Sequence, residues 1–173
     1  MAAATCQGQC GTGASVSWAN AETGAKMSRE DSLAGTTPIP IPLATGTNFS
    51  WIKNLVLAVT VTGTTSITNR RINMASSPAT GLQLFWKLVA VASYAQAAAG
   101  NQPAASGSNG ATPAGYTLMT TSPVQYDNTS VATSSTGPNG GMTVIVLGVD
   151  FTFAGGPGNA TALPSLTITY DEA

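Results

Sequence analysis

Twelve residues, Trp51-Ile-Lys-Asn-Leu-Val-Leu-Ala-Val-Thr-Val-Thr62, constrain this chain more than any other stretch. Side chains alternate across a β-strand, so Trp51, Lys53, Leu55, Leu57, Val59 and Val61 share one face. Ile52, Asn54, Val56, Ala58, Thr60 and Thr62 form the other, more polar face. β-Branched residues crowd the second half, where a helix would cost them rotamer freedom. The spacing predicts a long strand with one buried face, ended by Gly63-Thr64-Thr65. The rest of the chain reads as an all-β module built outward from it.

Two more segments carry strong strand patterns. Leu82 to Tyr94 places Leu82, Leu84, Trp86, Leu88 and Ala90 on one face, with Phe85, Val89 and Val91 opposite. A strand apolar on both sides is central in a sandwich or covered by a partner. The Ala-rich run from Leu88 to Ala99 also fits a helix. Met142 to Phe153 alternates again, with Ile145, Leu147, Val149, Phe151 and Phe153 inward and Val144 outward. Leu163 to Tyr170, with Leu166, Ile168 and Tyr170 on one face, is near enough in sequence to pair with it. Weaker strands are expected at Ser66–Met74, with Ile67 and Ile72 as core contacts, and at Tyr116–Met119 and Val124–Tyr126.

The segments between are of a different kind. Residues 1–48 read as an extended N-terminal arm with little core-forming pattern, and residues 49–173 as the body. Ala14–Trp18 could make one short strand in the arm, and Glu22 with Lys26 has the spacing of a helical pair. Pro38-Ile-Pro-Ile-Pro42 must run extended, because alternate prolines fix the backbone and remove amide donors. That segment is either a linker or an arm that buries Ile39 and Ile41 against a neighbouring subunit. Residues 95–115 are of low complexity and residues 127–141 are rich in Ser, Thr, Asn and Gly, so both are expected as long loops. The fold class that results is an antiparallel β-sandwich, of which the jelly roll is one form.

Composition narrows the function. Only 8% of residues are charged, against about 25% in an ordinary soluble domain. The net charge is −1, so copies repel each other weakly and association is favoured. No basic excess exists for binding nucleic acid through phosphates. No apolar run reaches membrane-spanning length, and Met1 to Cys6 lacks the charged start and apolar run of a secretory signal. The chain has no histidine, which removes the usual general base, the usual metal ligand and every histidine-based triad. Cys6 and Cys10 are too few for a metal site, and free thiols fit a reducing cytoplasm better than a short disulfide loop does. Asp127 and Asp150 have no spacing that ties them into an acid–base pair. Gly155-Gly-Pro-Gly158 lacks the ending of a phosphate-binding loop and reads as a turn. Trp18, Trp51 and Trp86 fit core or interface anchors better than a carbohydrate site. We therefore expect no catalytic residue, cofactor or metal. Arg70-Arg71 is the only basic pair, and adjacent strand residues point to opposite faces. Each arginine is read as solvated or locally paired, or as half of an ion pair between subunits. Ile39, Ile41, Arg70 and Arg71 are thus the candidate assembly residues.

The start of the chain, the Glu22–Asp31 and Pro38–Pro42 segments, the Thr64–Arg71 turn and strand, and a strand-rich body ending Tyr170-Asp-Glu-Ala173 resemble tailed-bacteriophage virion structural proteins. The likeness is greatest to capsid decoration or cement proteins, and no motif carries individual functional residues over. The resemblance implies a small β-sandwich subunit, often trimeric, that staples major capsid proteins against internal DNA pressure. Its implied partners are copies of itself and the major capsid protein. It would be made in the host cytoplasm and reside in the virion, without binding nucleic acid or membrane. A tail, neck or baseplate subunit, or a receptor- or glycan-binding module, is the alternative.

Overall fold

The structure is a computed structural model that describes residues 3–21, 26–33, 35, 37, 39, 47–78, 82–103, 111–147 and 165–173, with backbone alone at 139–143 and 145–147. It is all-β. The strands in chain order are β1 (Thr5–Thr12), β2 (Ser17–Asn20), β3 (Lys53–Val61), β4 (Ser66–Met74) and β5 (Gln83–Leu88). They continue as β6 (Thr117–Leu118), β7 (Val124–Asp127), β8 (Val131–Ala132), β9 (Gly137–Leu147) and β10 (Leu166–Glu172). A six-stranded sheet has the order β2-β1-β3-β9-β5-β6, and a four-stranded sheet has β10-β4-β7 with β8 also on β4. All pairings are antiparallel.

The two sheets enclose the main core. Leu84 and Trp86 of β5 and Val144 of β9 meet Ile72 and Met74 of β4 and Tyr126 of β7, with Leu55, Val124, Leu166 and Ile168 packed around them. A second cluster of Phe49, Ile52, Phe85 and Ala97 covers the outer face of the large sheet. That cover explains why β3 is buried on both faces rather than one. Its odd-numbered side chains face the sandwich, and its even-numbered ones lie under residues 89–97, where Asn54 Nδ2 donates to the Ala95 carbonyl at 2.8 Å. β5, apolar on both sides in sequence, is central as expected. It ends at Leu88, 48% exposed, and only 3-10 turns at Val91–Ser93 and Ala99–Asn101 follow instead of a helix.

The expected arm begins with a folded hairpin. β1 pairs with β3 along most of its length, and β2 pairs with β1. The segment shows little hydrophobic pattern because backbone pairing to β3, rather than a wide apolar face, places it. Gly11 sits opposite Trp18, and a Cβ there would come within 2.8 Å of the indole ring. Glycine under an aromatic neighbour is how such a strand keeps its register.

Three further differences have physical causes. β9 begins at Gly137, inside the expected 127–141 loop, and β8 lies there too. Residues 137–141 pair with β3 alone, and β5 joins only from Met142, so Pro138 falls on an open edge where its missing N–H costs nothing. β10 pairs with β4, and the described part of the 142–153 segment, residues 142–147, pairs with β3 and β5 instead. Val144 faces the main core rather than outward, and it is fully buried. The inward set expected at Val149, Phe151 and Phe153 lies outside the described residues.

β4 contains the feature that fixes where its charges go. Ile67 and Ile72 are both buried, yet they are an odd number of residues apart, which a regular strand forbids. Asn69 resolves this with a positive φ of 49° and an extra residue against β10. Asparagine tolerates that backbone region better than most residues. Beyond the bulge the phase flips, so Arg70, Ile72 and Met74 all point inward.

Candidate functional site

The four candidate assembly residues have separate fates. Ile39 is buried in this chain's own main core, and Ile41 lies outside the described residues. Arg70, turned inward by the bulge, is 1% exposed and pairs with Asp127 at 2.5 Å. It also reaches the Thr129 carbonyl at 3.4 Å. Arg71 points outward and makes two bonds of 3.1 and 3.2 Å to Asp171. The Asp171 carboxyl, bonded by Arg71 and Asn69, is held below the usual carboxylate range. The opposite faces expected for the pair are observed, and both ion pairs lie within the chain.

The Lys26–Leu33 segment works as a clamp, and the Glu22–Lys26 helical spacing falls largely outside the described residues. Asp31 Oδ2 accepts from the Gly13 amide at 2.9 Å and from Gln96 Nε2 at 2.7 Å, joining the β1–β2 turn to the 89–97 cover. Lys53 Nζ donates to the carbonyls of Glu30, at 2.8 Å, and Ser32. Arg29 Nε reaches the Phe49 carbonyl, and Glu30 accepts from the Thr37 amide. Sequence reasoning missed this use of the charged cluster. Its only trace in the sequence is that five of the thirteen charges (6 basic plus 7 acidic) fall between Glu22 and Asp31, which points to no partner.

Between β1, β3 and β10 lies a cleft of about 450 Å³. Cys6, Cys10, Lys53, Leu57, Ile168 and Tyr170 are among its walls. The two thiols are free, and four residues of extended strand separate them by about 13 Å, too far for a disulfide. Burial pushes the Cys10 thiol up to about 11 despite the nearby Lys53 charge. Cys6 is raised by burial as well, although a hydrogen bond with Tyr170 partly offsets this. Burial lowers the Lys53 ammonium. Raised thiols stay protonated near neutral pH and are poor nucleophiles. In this cleft burial outweighs the lowering effects of Lys53 on Cys10 and of Tyr170 on Cys6.

These shifts give a measurable pH dependence. Cys10 and Tyr126 hold their protons more tightly folded than unfolded, with Tyr126 raised by burial to about 12. Their stabilising contribution is complete below their ordinary values of 9.0 and 10.0 and is lost as pH rises through 11 and 12. Lys53 acts in the opposite sense below 10.5. The melting temperature should therefore fall across pH 9 to 12, and Cys10→Ala should flatten the lower part of that fall. At pH 8, Ellman's reagent should label the native chain slowly, with Cys6 ahead of Cys10. Rapid native labelling of Cys10 would mean that β1 does not stay paired with β3.

No group of three or more potential metal-binding side chains occurs among the described residues. The tryptophans are dispersed. Trp86 is in the main core, Trp51 borders the second cluster, and Trp18 packs edge-on against Tyr94 with centroids 5.9 Å apart. Asp127 is committed to Arg70, and Asp150 and the 155–158 turn lie outside the described residues. No helix among the described residues is long and apolar enough to cross a membrane. No family model, curated protein or solved structure matches this chain.

Proposed function

We propose that this chain is a non-enzymatic structural subunit of a tailed-phage virion, a decoration or cement protein of the head lattice. The observation that carries the reading is where the charges go. Arg29, Lys53, Arg70, Arg71 and Lys87 each meet a partner within the chain, as do Glu30, Asp31, Asp127 and Asp171. Much of the outer surface is then left to Ser, Thr, Ala, Asn and Gly. Such a surface packs against neighbours without paying to desolvate ions. An all-β body suits a subunit that must resist outward pressure, since its pairings are long in range.

Added to capsids that lack it, the protein should bind and raise their melting temperature. Failure to bind or to shift the transition would remove the cement reading and leave a tail, neck or baseplate position. A glycan-binding reading has one feature in its favour. A cavity of about 510 Å³ lies beside Phe49, Lys87 and Tyr116, with the Lys87 ammonium 4.7 Å from the Tyr116 ring centre. Trp51 packs on the same cluster, so a sugar bound there should change tryptophan fluorescence with no particle present.

A further inference from the structure

Among the described residues β2, β6, β7 and β10 are the end strands of the two sheets, and the last three are protected against pairing with another chain. β6 has only two residues. β10 ends in Asp171 and Glu172 and crosses a register shift with β4. β7 follows Pro123, ends in Asp127 and also crosses a register shift. Short length, charge, proline and bulges are the usual devices that stop a sheet edge from recruiting a strand. β2, although only four residues long, has no charge, proline or bulge. From Gly13 to Ala21 there is no charged residue and no proline, and the β1–β2 register runs without a shift.

The β2 edge is also held in place before any partner arrives. The Gly13 amide is bonded by Asp31, the Gly13 carbonyl accepts from Tyr94 Oη at 2.9 Å, and Trp18 packs on Tyr94. Ser17, Ala19 and Asn20 are exposed, as is Val16 at 39%. Among the described residues no strand pairs with the outer side of β2. A rigid, neutral, unprotected edge loses little entropy when a strand is added to it.

We propose that β2 pairs antiparallel with β2 of a second copy of this chain, joining two six-stranded sheets into one. Charge favours a like partner. Two-fold pairing must set a residue of β2 opposite itself, with the axis at Trp18 or Ala19, and both registers oppose only uncharged residues from Ser17 to Asn20. A net charge of −1 adds little repulsion between copies. The proposal shares the neutral surface with the virion reading but does not depend on it, since two copies can pair outside any particle.

The test is sedimentation of the full chain with Ala19→Lys and Ala19→Glu. Residue 19 is exposed, so neither change should alter the circular dichroism of the folded chain. The wild type should sediment as a dimer of the 17.3 kDa chain at micromolar concentration. Each variant alone should be monomeric, because like charges meet directly or diagonally across the axis, weakening the pair about tenfold or more. Mixed in equal amounts, the Lys and Glu variants should dimerise again. A monomeric wild type, variants that still dimerise alone, or a mixture that stays monomeric would each overturn the proposal. Copy number in particles tests the virion reading separately, so the two can fail independently.

Discussion

Asp127→Ala is expected to destabilise the fold by about 3–5 kcal/mol. Arg70 is 1% exposed, and Asp127 meets its guanidinium at 2.5 Å. Removing the acid leaves a cation buried between the sheets without its counter-charge. Asp127 also accepts from the Thr129 amide at 2.8 Å, so the turn after β7 loosens as well. Urea denaturation gives the measurement. Replacing both partners together, with Arg70→Met and Asp127→Leu, should recover much of the loss, because a desolvated ion pair often adds little over apolar packing. Arg71, exposed and paired with Asp171, provides the contrast. Asp171→Ala should cost far less than Asp127→Ala, because water screens an exposed pair. Equal losses at the two aspartates would mean that the Asn69 bulge does not turn Arg70 inward.

Val59→Asp should abolish cooperative folding. Val59 is 2% exposed on β3, with Cys6 beside it on β1 and Gly137 on β9. A carboxylate at that point costs several kcal/mol in desolvation, against a total stability of about 5–15 kcal/mol for a domain. Val61 lies two residues on, on the same face, yet it is 56% exposed where the strand leaves the sandwich. Val61→Asp should therefore change stability by no more than about 0.5 kcal/mol. Circular dichroism melts of the two variants compare them directly. A cooperatively melting Val59→Asp chain would contradict the placement of β3 at the centre of the large sheet.

The strands with side-chain alternation were legible in sequence. β3, β5 and the inward Leu166 and Ile168 of β10 follow from period alone, as does the all-β class. Pairing that depends on a neighbour's backbone was not legible. β1 and the start of β9 are built from Gly, Gln, Pro and Asn, which carry no strand preference, and β3 recruits both. Partner choice for β10 was hidden for a similar reason, since it depends on which edges other strands have already occupied. The bulge was half visible. Ile67 and Ile72 were both expected in the core, and their odd separation demands an irregular residue between them.

At the candidate site, the opposite facing of Arg70 and Arg71 came from strand geometry, while their partners did not. Asp127 and Asp171 lie 57 and 100 residues away along the chain. Ile39 fits the main core of its own chain, and that contact is not encoded by proline spacing. The Asp31 and Lys53 contacts to backbone were missed because carbonyl and amide partners leave no mark in a sequence.

The central claim, that this chain is a lattice-stabilising structural subunit, is tested most directly by its copy number relative to the major shell protein in purified particles. A number comparable to that of the shell protein is the predicted result. A small multiple of a ring symmetry would place the chain in the neck or tail, and absence from particles would contradict the virion assignment.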